Sequence, residues 1–253
     1  MDLNNEYGTL LAQEKLLDLL KDFHSFCKRN QIKYSLAYGS LLGAIRHGGF
    51  IPWDDDLDVF VDRANYNLLI EHLLKDEGLT VDLYNVDSLW VNRVRRKKDV
   101  EGYSQGYRPT LDILVLDHVP NISFVRKFKL FAILMLQGMM KPHPSFHKGS
   151  LALRCCTVVT FLLGRLVPNK WKHKCYQKVS MIGGKSGLLA NYNGEYADLR
   201  RTYPATMMDN VVEHSFEDTK AMIVADYDMC LTTQFGDYMT PPKESDRRPQ
   251  HGA

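Results

Sequence analysis

The sequence predicts an α/β (α+β) fold, organised as a single domain over residues 1–253 with a helical insertion at 122–180. Two patterns indicate this class: several segments carry apolar residues at helical spacing, and shorter segments alternate or form apolar runs typical of strands. The segment 122–180 changes character, because two long apolar helical stretches there contain only sparse basic residues. A chain of 253 residues is also long enough to bury a large core without disulfide bonds.

Composition and charge exclude several classes of protein. A hydrophobic content of 45% and a charged content of 25% are ordinary for a soluble globular protein. The formal net charge of +2 gives no global reason for a nucleic-acid partner, and none is expected. Five cysteines without a CxxC pair indicate reduced thiols in a cytoplasmic protein and no structural zinc site. The polar N-terminus does not resemble a signal peptide, and no uncharged apolar run approaches the ~20 residues of a membrane span.

The first elements are a helix, a strand and a second, shorter helix. Residues 7–29 have the apolar spacing of an amphipathic helix, and residues 32–38 follow as a short strand. Gly39 and Ser40 close this strand, and residues 40–46 predict the short helix. Ser40 is then either the N-cap of that helix or, together with free backbone N–H groups, a ligand for phosphate. The carboxylates that follow favour phosphate.

A cluster of four aspartates leads directly into an apolar strand: Asp54, Asp55, Asp56 and Asp58. Side chains alternate along a strand, so the first, third and fourth share one face, while Asp55 lies on the other. Close carboxylates repel one another, and a divalent cation that prefers oxygen ligands, Mg²⁺ or Mn²⁺, would neutralise them. An exposed acidic loop is a competing interpretation, but the apolar residues 59–61 argue against it. A calcium EF-hand loop starting at Asp54 fails, because its sixth position lacks Gly and its twelfth lacks Glu.

The next segments supply a third carboxylate and a basic run. Residues 63–74 predict a helix, residues 79–84 and 90–94 predict strands, and the basic run 95–98 predicts a solvated loop or a contact with phosphates or an anionic membrane. Asp112 lies within the apolar strand 110–117, where an isolated carboxylate needs a partner, so it is the natural third metal ligand. Asp117, at the end of that strand, is assigned to a turn or a cap.

The segment 122–180 allows two interpretations. Residues 124–140 and 151–167 predict two apolar helices, with basic residues close by. They form either a helical hairpin packed on the core or a membrane-surface element that serves a lipid-linked acceptor. The second interpretation would place the protein peripherally on the inner face of the membrane.

Three stretches resemble a known family. YGSLLGAIRHGGFIPWDDDLDVFV, LDILVLDHVP and FGDYMTPPKESDRRPQH are similar to motifs of the LicD family of phosphocholine and sugar-alcohol phosphate transferases, which is related to fukutin and fukutin-related protein. The first motif is highly specific, and together the three anchor the chain from about residue 10 to residue 251. Residues 121–190 carry little family signal.

The resemblance implies a nucleotidyltransferase-like fold, a mixed β-sheet with flanking helices. It also implies that Gly39 and Ser40 form the family's Gly-Ser/Thr turn. The carboxylates that it implies for the metal are Asp56, Asp58 and Asp112.

Further roles follow from the same resemblance. Arg46 is implied to bind substrate phosphate, and Asp54 matches an acidic position of related enzymes. In the C-terminal motif, Arg247 is assigned to phosphate binding, and His251 is a phosphate ligand or an alternative base. Phe235 stands where many relatives have Tyr, so no hydroxyl is essential there.

The activity implied is transfer of a phospho-alcohol, with phosphocholine from CDP-choline favoured, to a hydroxyl of a cell-surface glycan or its lipid-linked precursor, releasing CMP. Mg²⁺ or Mn²⁺ would neutralise the donor phosphates, and Asp54 or Asp112 would take the acceptor proton. Two alternatives stay open: nucleotidyl transfer from an NTP to a small acceptor, and a non-catalytic module that binds a membrane or a partner. The sequence does not choose among choline, ribitol, glycerol and ethanolamine phosphate donors.

Overall fold

The computed structural model describes residues 7–83, 91–101, 109–141, 151–194 and 196–249, and of residues 100, 101 and 151–156 only the backbone. The α-helices within these ranges are α1 (Leu10–Arg29), α2 (Tyr38–His47), α3 (Arg63–Leu73), α4 (Lys97–Glu101), α5 (Ser123–Met140), α6 (Leu151–Leu166), α7 (Asn169–Ser180) and α8 (Tyr227–Phe235). The strands are β1 (Ser35–Leu36), β2 (Asp58–Asp62), β3 (Leu79–Asp82), β4 (Asn92–Arg96), β5 (Leu111–His118), β6 (Leu188–Asn191), β7 (Tyr203–Pro204), β8 (Val211–Phe216) and β9 (Thr219–Val224). This mixture of helices and strands confirms the predicted α/β class.

One compact unit, unit 1, comprises Met1–Val81, Arg93–Leu116 and Thr206–Ala253 and contains a mixed sheet. Its strands follow the order β1-β2-β5-β4-β3, with β1 antiparallel and β5 parallel to β2. The apolar runs 59–61 and 113–116 of the two central strands are buried. A mixed sheet whose central strands are apolar on both faces agrees with the nucleotidyltransferase-like fold that the resemblance implied.

The passage from β1 into α2 differs from the prediction. The apolar pattern predicted a strand over residues 32–38, but β1 contains only Ser35 and Leu36. Tyr38 adopts a left-handed φ of 43° and is the first residue of α2, with its ring edge-on to Phe60 at a centroid distance of 5.3 Å. The packing of that ring on a fully buried residue holds the unfavourable backbone conformation in place. The helix therefore begins two residues before Ser40.

The basic run at residues 95–98 is not a solvated loop. It forms the end of β4 and the start of α4, and Arg96 is buried. The Arg96 guanidinium donates to Asp99 at 2.6 Å and to Asp18 of α1 at 3.0 Å. The prediction was wrong for Arg96 because two carboxylates neutralise its charge, one of them three residues away and the other distant in the sequence.

The hairpin of β8 and β9 completes unit 1 and was not predicted from the sequence. It packs on β1, where the Ser35 hydroxyl accepts a hydrogen bond from the Val224 N–H at 2.9 Å. The Tyr34 hydroxyl likewise accepts from the Met222 N–H at 3.3 Å. These bonds satisfy buried polar groups next to a strand of only two residues.

The second compact unit, unit 2, comprises Asp82–Asn92 and Asp117–Ala205 and includes helices α5, α6 and α7. The two apolar helices that the sequence predicted correspond to α5 and α6. The buried Lys172 ammonium donates to the carbonyls of Met139 at 3.1 Å and Gly164 at 2.9 Å, near the ends of these helices. A lysine at this point satisfies helix carbonyls that lack partners within their own helices.

The helices of unit 2 pack around a small core next to the strand pair of β6 and β7. The Lys129 side chain is fully buried there, donates to the His118 carbonyl at 2.9 Å and lies 3.6 Å from the centre of the Tyr192 ring.

In the part of the chain that the structure describes, no helix is both long and apolar enough to cross a bilayer.

Candidate active site

Two of the predicted metal ligands lie side by side on neighbouring parallel strands. Asp58 at the start of β2 is in register with Asp112 of β5. Residues in register on adjacent strands project from the same face of a sheet and lie about 5 Å apart. The structure therefore brings together two carboxylates that are more than fifty residues apart in the sequence.

Hydrogen bonds fix the backbone of Asp58. Its N–H donates to the Ser40 hydroxyl at 2.9 Å, and its carbonyl accepts from the Ala37 N–H at 2.9 Å. The Asp112 N–H donates to the Leu57 carbonyl at 2.8 Å. The start of α2 and the two strands thus hold both aspartates at the backbone level.

This geometry excludes the N-cap, the alternative role considered for Ser40. The residue is the third of α2 rather than its N-cap, a position taken by Ala37, and its side chain is buried. The hydroxyl accepts the Asp58 N–H, which gives Ser40 a role in positioning an acid. Contact of Ser40 with phosphate stays a prediction.

The segment that precedes Asp58 is not a strand, because β2 begins only at that residue. Burial nevertheless alternates as predicted: Asp55 and Leu57 are buried, whereas Asp54, Asp56 and Asp58 are partly exposed. The separation of the aspartates onto two sides was therefore predicted correctly, although the secondary structure of residues 54–57 was not.

Asp54 is packed tightly against both Gly39 and Asp56. A β-carbon at Gly39 would lie 2.5 Å from the Asp54 Oδ2 atom, so a larger residue there would displace the Asp54 carboxylate. Burial, the nearby charge of Asp56 and a hydrogen bond between the two carboxyl groups raise the pKa of Asp54 to about 9. The carboxyl group of Asp54 therefore holds a proton more tightly than a solvated aspartate does.

Arg93 is a site residue that the sequence did not reveal. It lies on β4, the neighbour of β5 in the sheet, and its Nε donates to the Asp112 Oδ1 at 3.0 Å. The side chains of both residues are about three-quarters buried, so this ion pair balances the charge of Asp112 with little solvent screening. Alternation along the predicted strand 90–94 could have placed the Arg93 side chain on one face of the strand. It could not have placed that side chain beside Asp112.

The residues fit a divalent cation by their chemistry. Asp56, Asp58 and Asp112 offer only carboxylate oxygens, which Mg²⁺ and Mn²⁺ prefer. Burial and the neighbouring charge of Asp56 raise the pKa of Asp54, so a cation bound beside this pair would stabilise both carboxylates. Among the described residues, no three Asp, Glu, His or Cys side chains already surround a common position.

A basic and aromatic cluster lies next to the acidic segment. The Arg247 guanidinium lies 5.1 Å from the centre of the Trp53 ring, and the Arg46 Nη1 donates to the Tyr238 carbonyl at 2.9 Å. Burial and the neighbouring charge of Arg247 lower the pKa of Arg46. The structure thus brings together the two arginines predicted to bind phosphate. His251, the third residue predicted for this role, lies outside the described residues.

The double glycine before the acidic segment is explained by packing. Glu217, in the turn of the β8–β9 hairpin, accepts from the Phe50 N–H at 2.9 Å and donates its own N–H to the Gly48 carbonyl at 2.8 Å. A β-carbon at Gly49 would overlap the Glu217 carboxylate. Glu217 was not predicted, because a contact across 167 residues leaves no local signal.

Asp117 also differs from its assignment to a turn or a cap. It is the penultimate residue of β5 and is buried. Burial of the Tyr192 ring, together with the charge of Asp117, raises the pKa of Tyr192. Asp117 therefore belongs to the interior of unit 2.

Comparison with known proteins finds similarity to the LicD family. The family model described as "LicD/FKTN/FKRP, nucleotidyltransferase domain" matches residues 31–128. The chain is 27% identical over 267 residues to "Lipopolysaccharide cholinephosphotransferase LicD" of Haemophilus influenzae, and the match covers 96% of each chain. Uncharacterized proteins of Rickettsia prowazekii and Rickettsia typhi are each 54% identical over 44 residues, which cover 17% of this chain and 16% and 14% of theirs. The chain is thus similar to the LicD/FKTN/FKRP nucleotidyltransferase domain over residues 31–128, and to one LicD cholinephosphotransferase along nearly its whole length.

Proposed function

We propose that this protein is a phosphotransferase that moves a choline phosphate group onto a hydroxyl of a lipopolysaccharide-type glycan. The observation that carries the proposal is the alignment of Asp58 with Asp112 on adjacent parallel strands. The neighbouring arginines Arg46 and Arg247 support it, because Arg247 packs on Trp53 at the start of the acidic segment. Phosphoryl transfer requires acidic side chains that hold a metal ion and, beside them, basic side chains that hold the phosphates. Similarity to the Haemophilus influenzae cholinephosphotransferase along 96% of each chain supports the choice of group and acceptor.

The proposed donor is CDP-choline. The acceptor oxygen attacks the phosphorus that carries choline, a new P–O bond forms, and the bond from that phosphorus to the oxygen of CMP breaks. CMP leaves with the electron pair of the broken bond, and the acceptor proton passes to a base of the protein. Atoms and charge balance without any further co-reactant.

The proposed cofactor is Mg²⁺, or Mn²⁺ in its place, held by Asp56, Asp58 and Asp112. When bound, it would neutralise the negative charge of the donor phosphates and stabilise the charge that develops on the leaving group. Asp112 would then exchange its ion pair with Arg93 for the cation. The Arg93 guanidinium would remain close by as a further positive group.

The side chains of this protein have separate roles around the donor. Arg46 and Arg247 would bind the pyrophosphate oxygens, because guanidinium groups match phosphate geometry. Asp54 would accept the acceptor proton once cation binding has removed its own, with Asp112 and His251 as alternative bases. Ser40 would act mainly through the backbone of Asp58.

The proposed acceptor is a glycan or its lipid-linked precursor, modified on the cytoplasmic side, at the inner face of the membrane. Ribitol, glycerol or ethanolamine phosphate donors are alternatives within the same chemistry.

The proposal is tested by measuring CMP release and choline incorporation from CDP-choline in the presence of lipopolysaccharide and Mg²⁺. Asp56→Ala and Asp58→Ala should each lower the rate by roughly 100-fold or more, since loss of about 3 kcal/mol of transition-state stabilisation corresponds to that factor. Asp22→Ala, which removes an exposed acid of α1, is the matched control and should retain the wild-type rate.

The outcomes separate the alternatives. Full activity of both site variants would refute the metal assignment, and release of pyrophosphate from an NTP would indicate nucleotidyl transfer instead. If calorimetry detects no binding of a divalent cation or any CDP-alcohol, the protein is a non-catalytic module and the proposed function is wrong.

A further inference from the structure

Two helices of unit 2 expose large apolar side chains along one face each. On α5, residues Phe124, Phe128 and Phe131 recur at intervals of four and three, which places them on one side of the helix. Each is more than half exposed, and Phe124 reaches 79%. We call these three residues the α5 face.

The second face lies on α6, where Val159, Leu162, Leu163 and Leu166 follow the same helical spacing. All four are exposed, and Leu166 reaches 81%. We call these residues the α6 face. Single exposed apolar residues are common on proteins, but contiguous stripes mark interaction surfaces.

The charge around these faces has one sign. No Asp or Glu occurs between His118 and Gly194, whereas Lys and Arg recur throughout. Arg126 and Lys127 are exposed on α5, and Arg165 is exposed on α6. Arg126 also donates to the Pro120 carbonyl at 3.3 Å, but all three side chains stay exposed, whereas Lys129 and Lys172 are buried.

We propose that the α5 and α6 faces dock on an anionic lipid surface. Apolar and aromatic side chains flanked by Lys and Arg on a helix favour the interface of a bilayer, where the rings enter the acyl boundary and the cations meet the headgroups. A second copy of this chain is a poorer partner, because symmetric contact through these faces would bring basic residues against basic residues. None of the described helices is suited to crossing a bilayer, so the contact is interfacial.

This inference goes beyond the proposed function and does not depend on it. Lipid docking requires no donor, no divalent cation and none of the residues of the active site. It would bring the enzyme to a surface on which a lipid-linked glycan is concentrated.

The test is co-sedimentation of the full chain with vesicles of phosphatidylcholine alone and of phosphatidylcholine mixed with phosphatidylglycerol. We expect binding to the anionic vesicles only, weaker at high salt because screening reduces the attraction between the headgroups and the basic residues. The double variant Phe124→Ser/Phe128→Ser should bind roughly tenfold more weakly, because two inserted rings are lost. Lys127→Glu should also bind the anionic vesicles more weakly, and its binding should depend less on salt, because one basic residue is lost.

The matched control is Leu74→Ser, which removes an exposed leucine of unit 1 and should bind as the wild type does. Circular dichroism and the unfolding temperature should be unchanged in every variant, because the altered side chains are exposed.

Equal binding to neutral and anionic vesicles, or wild-type binding by the phenylalanine double variant, would overturn the proposal. A dimer in light scattering that the same double variant abolishes would assign the faces to a second copy. CMP release in detergent solution reports on the activity separately.

Discussion

Removal of the Ser40 hydroxyl should destabilise the protein before any ligand is added. The Ser40 side chain is 2% exposed, and its oxygen accepts the Asp58 N–H at 2.9 Å. In Ser40→Ala, that N–H loses this acceptor, and the loss of a partner by a buried donor costs about 1–3 kcal/mol. For a chain of this size, the unfolding temperature should fall by roughly 2–12 °C.

The assay is thermal unfolding of the ligand-free protein, followed by circular dichroism in a buffer without divalent cations. Ser40→Thr is the matched variant, because it keeps a hydroxyl at the same position and should retain most of the stability. Ser25→Ala, which removes an exposed hydroxyl of α1, should leave the unfolding temperature within about 1–2 °C of wild type.

One result would refute this reasoning about Ser40. If Ser40→Ala unfolds at the wild-type temperature but binds CDP-choline much more weakly, the hydroxyl serves the ligand and not Asp58. The choice between positioning Asp58 and binding phosphate would then be decided in favour of phosphate.

Two further substitutions probe the neighbouring packing and charge. Gly43→Ala should lower the free energy of unfolding by about 1–3 kcal/mol in urea titration, because a β-carbon there would overlap the Gly49 carbonyl. Arg93→Gln should lower the stability of the cation-free protein by about 1 kcal/mol, because Asp112 loses its ion pair. Saturating Mg²⁺ should reduce this second deficit in thermal unfolding, since a bound cation would supply the missing charge.

The controls for these substitutions are specific. Gly187→Ala places a β-carbon in open space and should be close to neutral, whereas equal losses at both glycines would contradict the packing argument. A deficit of Arg93→Gln that is the same with and without Mg²⁺ would show that the cation does not bind at Asp112.

Helical periodicity predicted the long elements of the fold well. The apolar spacing over residues 7–29 gave α1, and the runs at 124–140 and 151–167 gave α5 and α6 within a few residues. A helix with one buried face repeats its signal over several turns, so the pattern survives local exceptions such as the exposed Leu11. The boundary between β1 and α2 was predicted less well. Tyr38 has a left-handed backbone conformation there and interrupts an apolar run that is otherwise typical of a strand.

The candidate site was predictable only where its residues are close in sequence. Alternation along the predicted strand identified Asp54, Asp56 and Asp58. Asp112 was identified because a carboxylate is unusual within an apolar strand. Arg93 and Glu217 were missed because their roles depend on strand order and on a hairpin turn, which local patterns do not encode. The β8–β9 hairpin itself carries Glu217 at a φ of 49° in its turn, where Asn or Gly would have been the recognisable signal.

The division of unit 1 into three separate segments has a consequence for its biosynthesis. Asp58 and Asp112 leave the ribosome early, whereas the hairpin that hydrogen-bonds Tyr34 and Ser35 is translated only after residues 117–205. At typical elongation rates this delay lasts roughly 5–20 s. In that interval the main segment of unit 2 is complete, whereas the first two segments of unit 1 still lack strands β8 and β9. A nascent chain arrested after unit 2 would therefore carry the acidic residues and the strands of the mixed sheet, but neither the β8–β9 hairpin nor the C-terminal arginine.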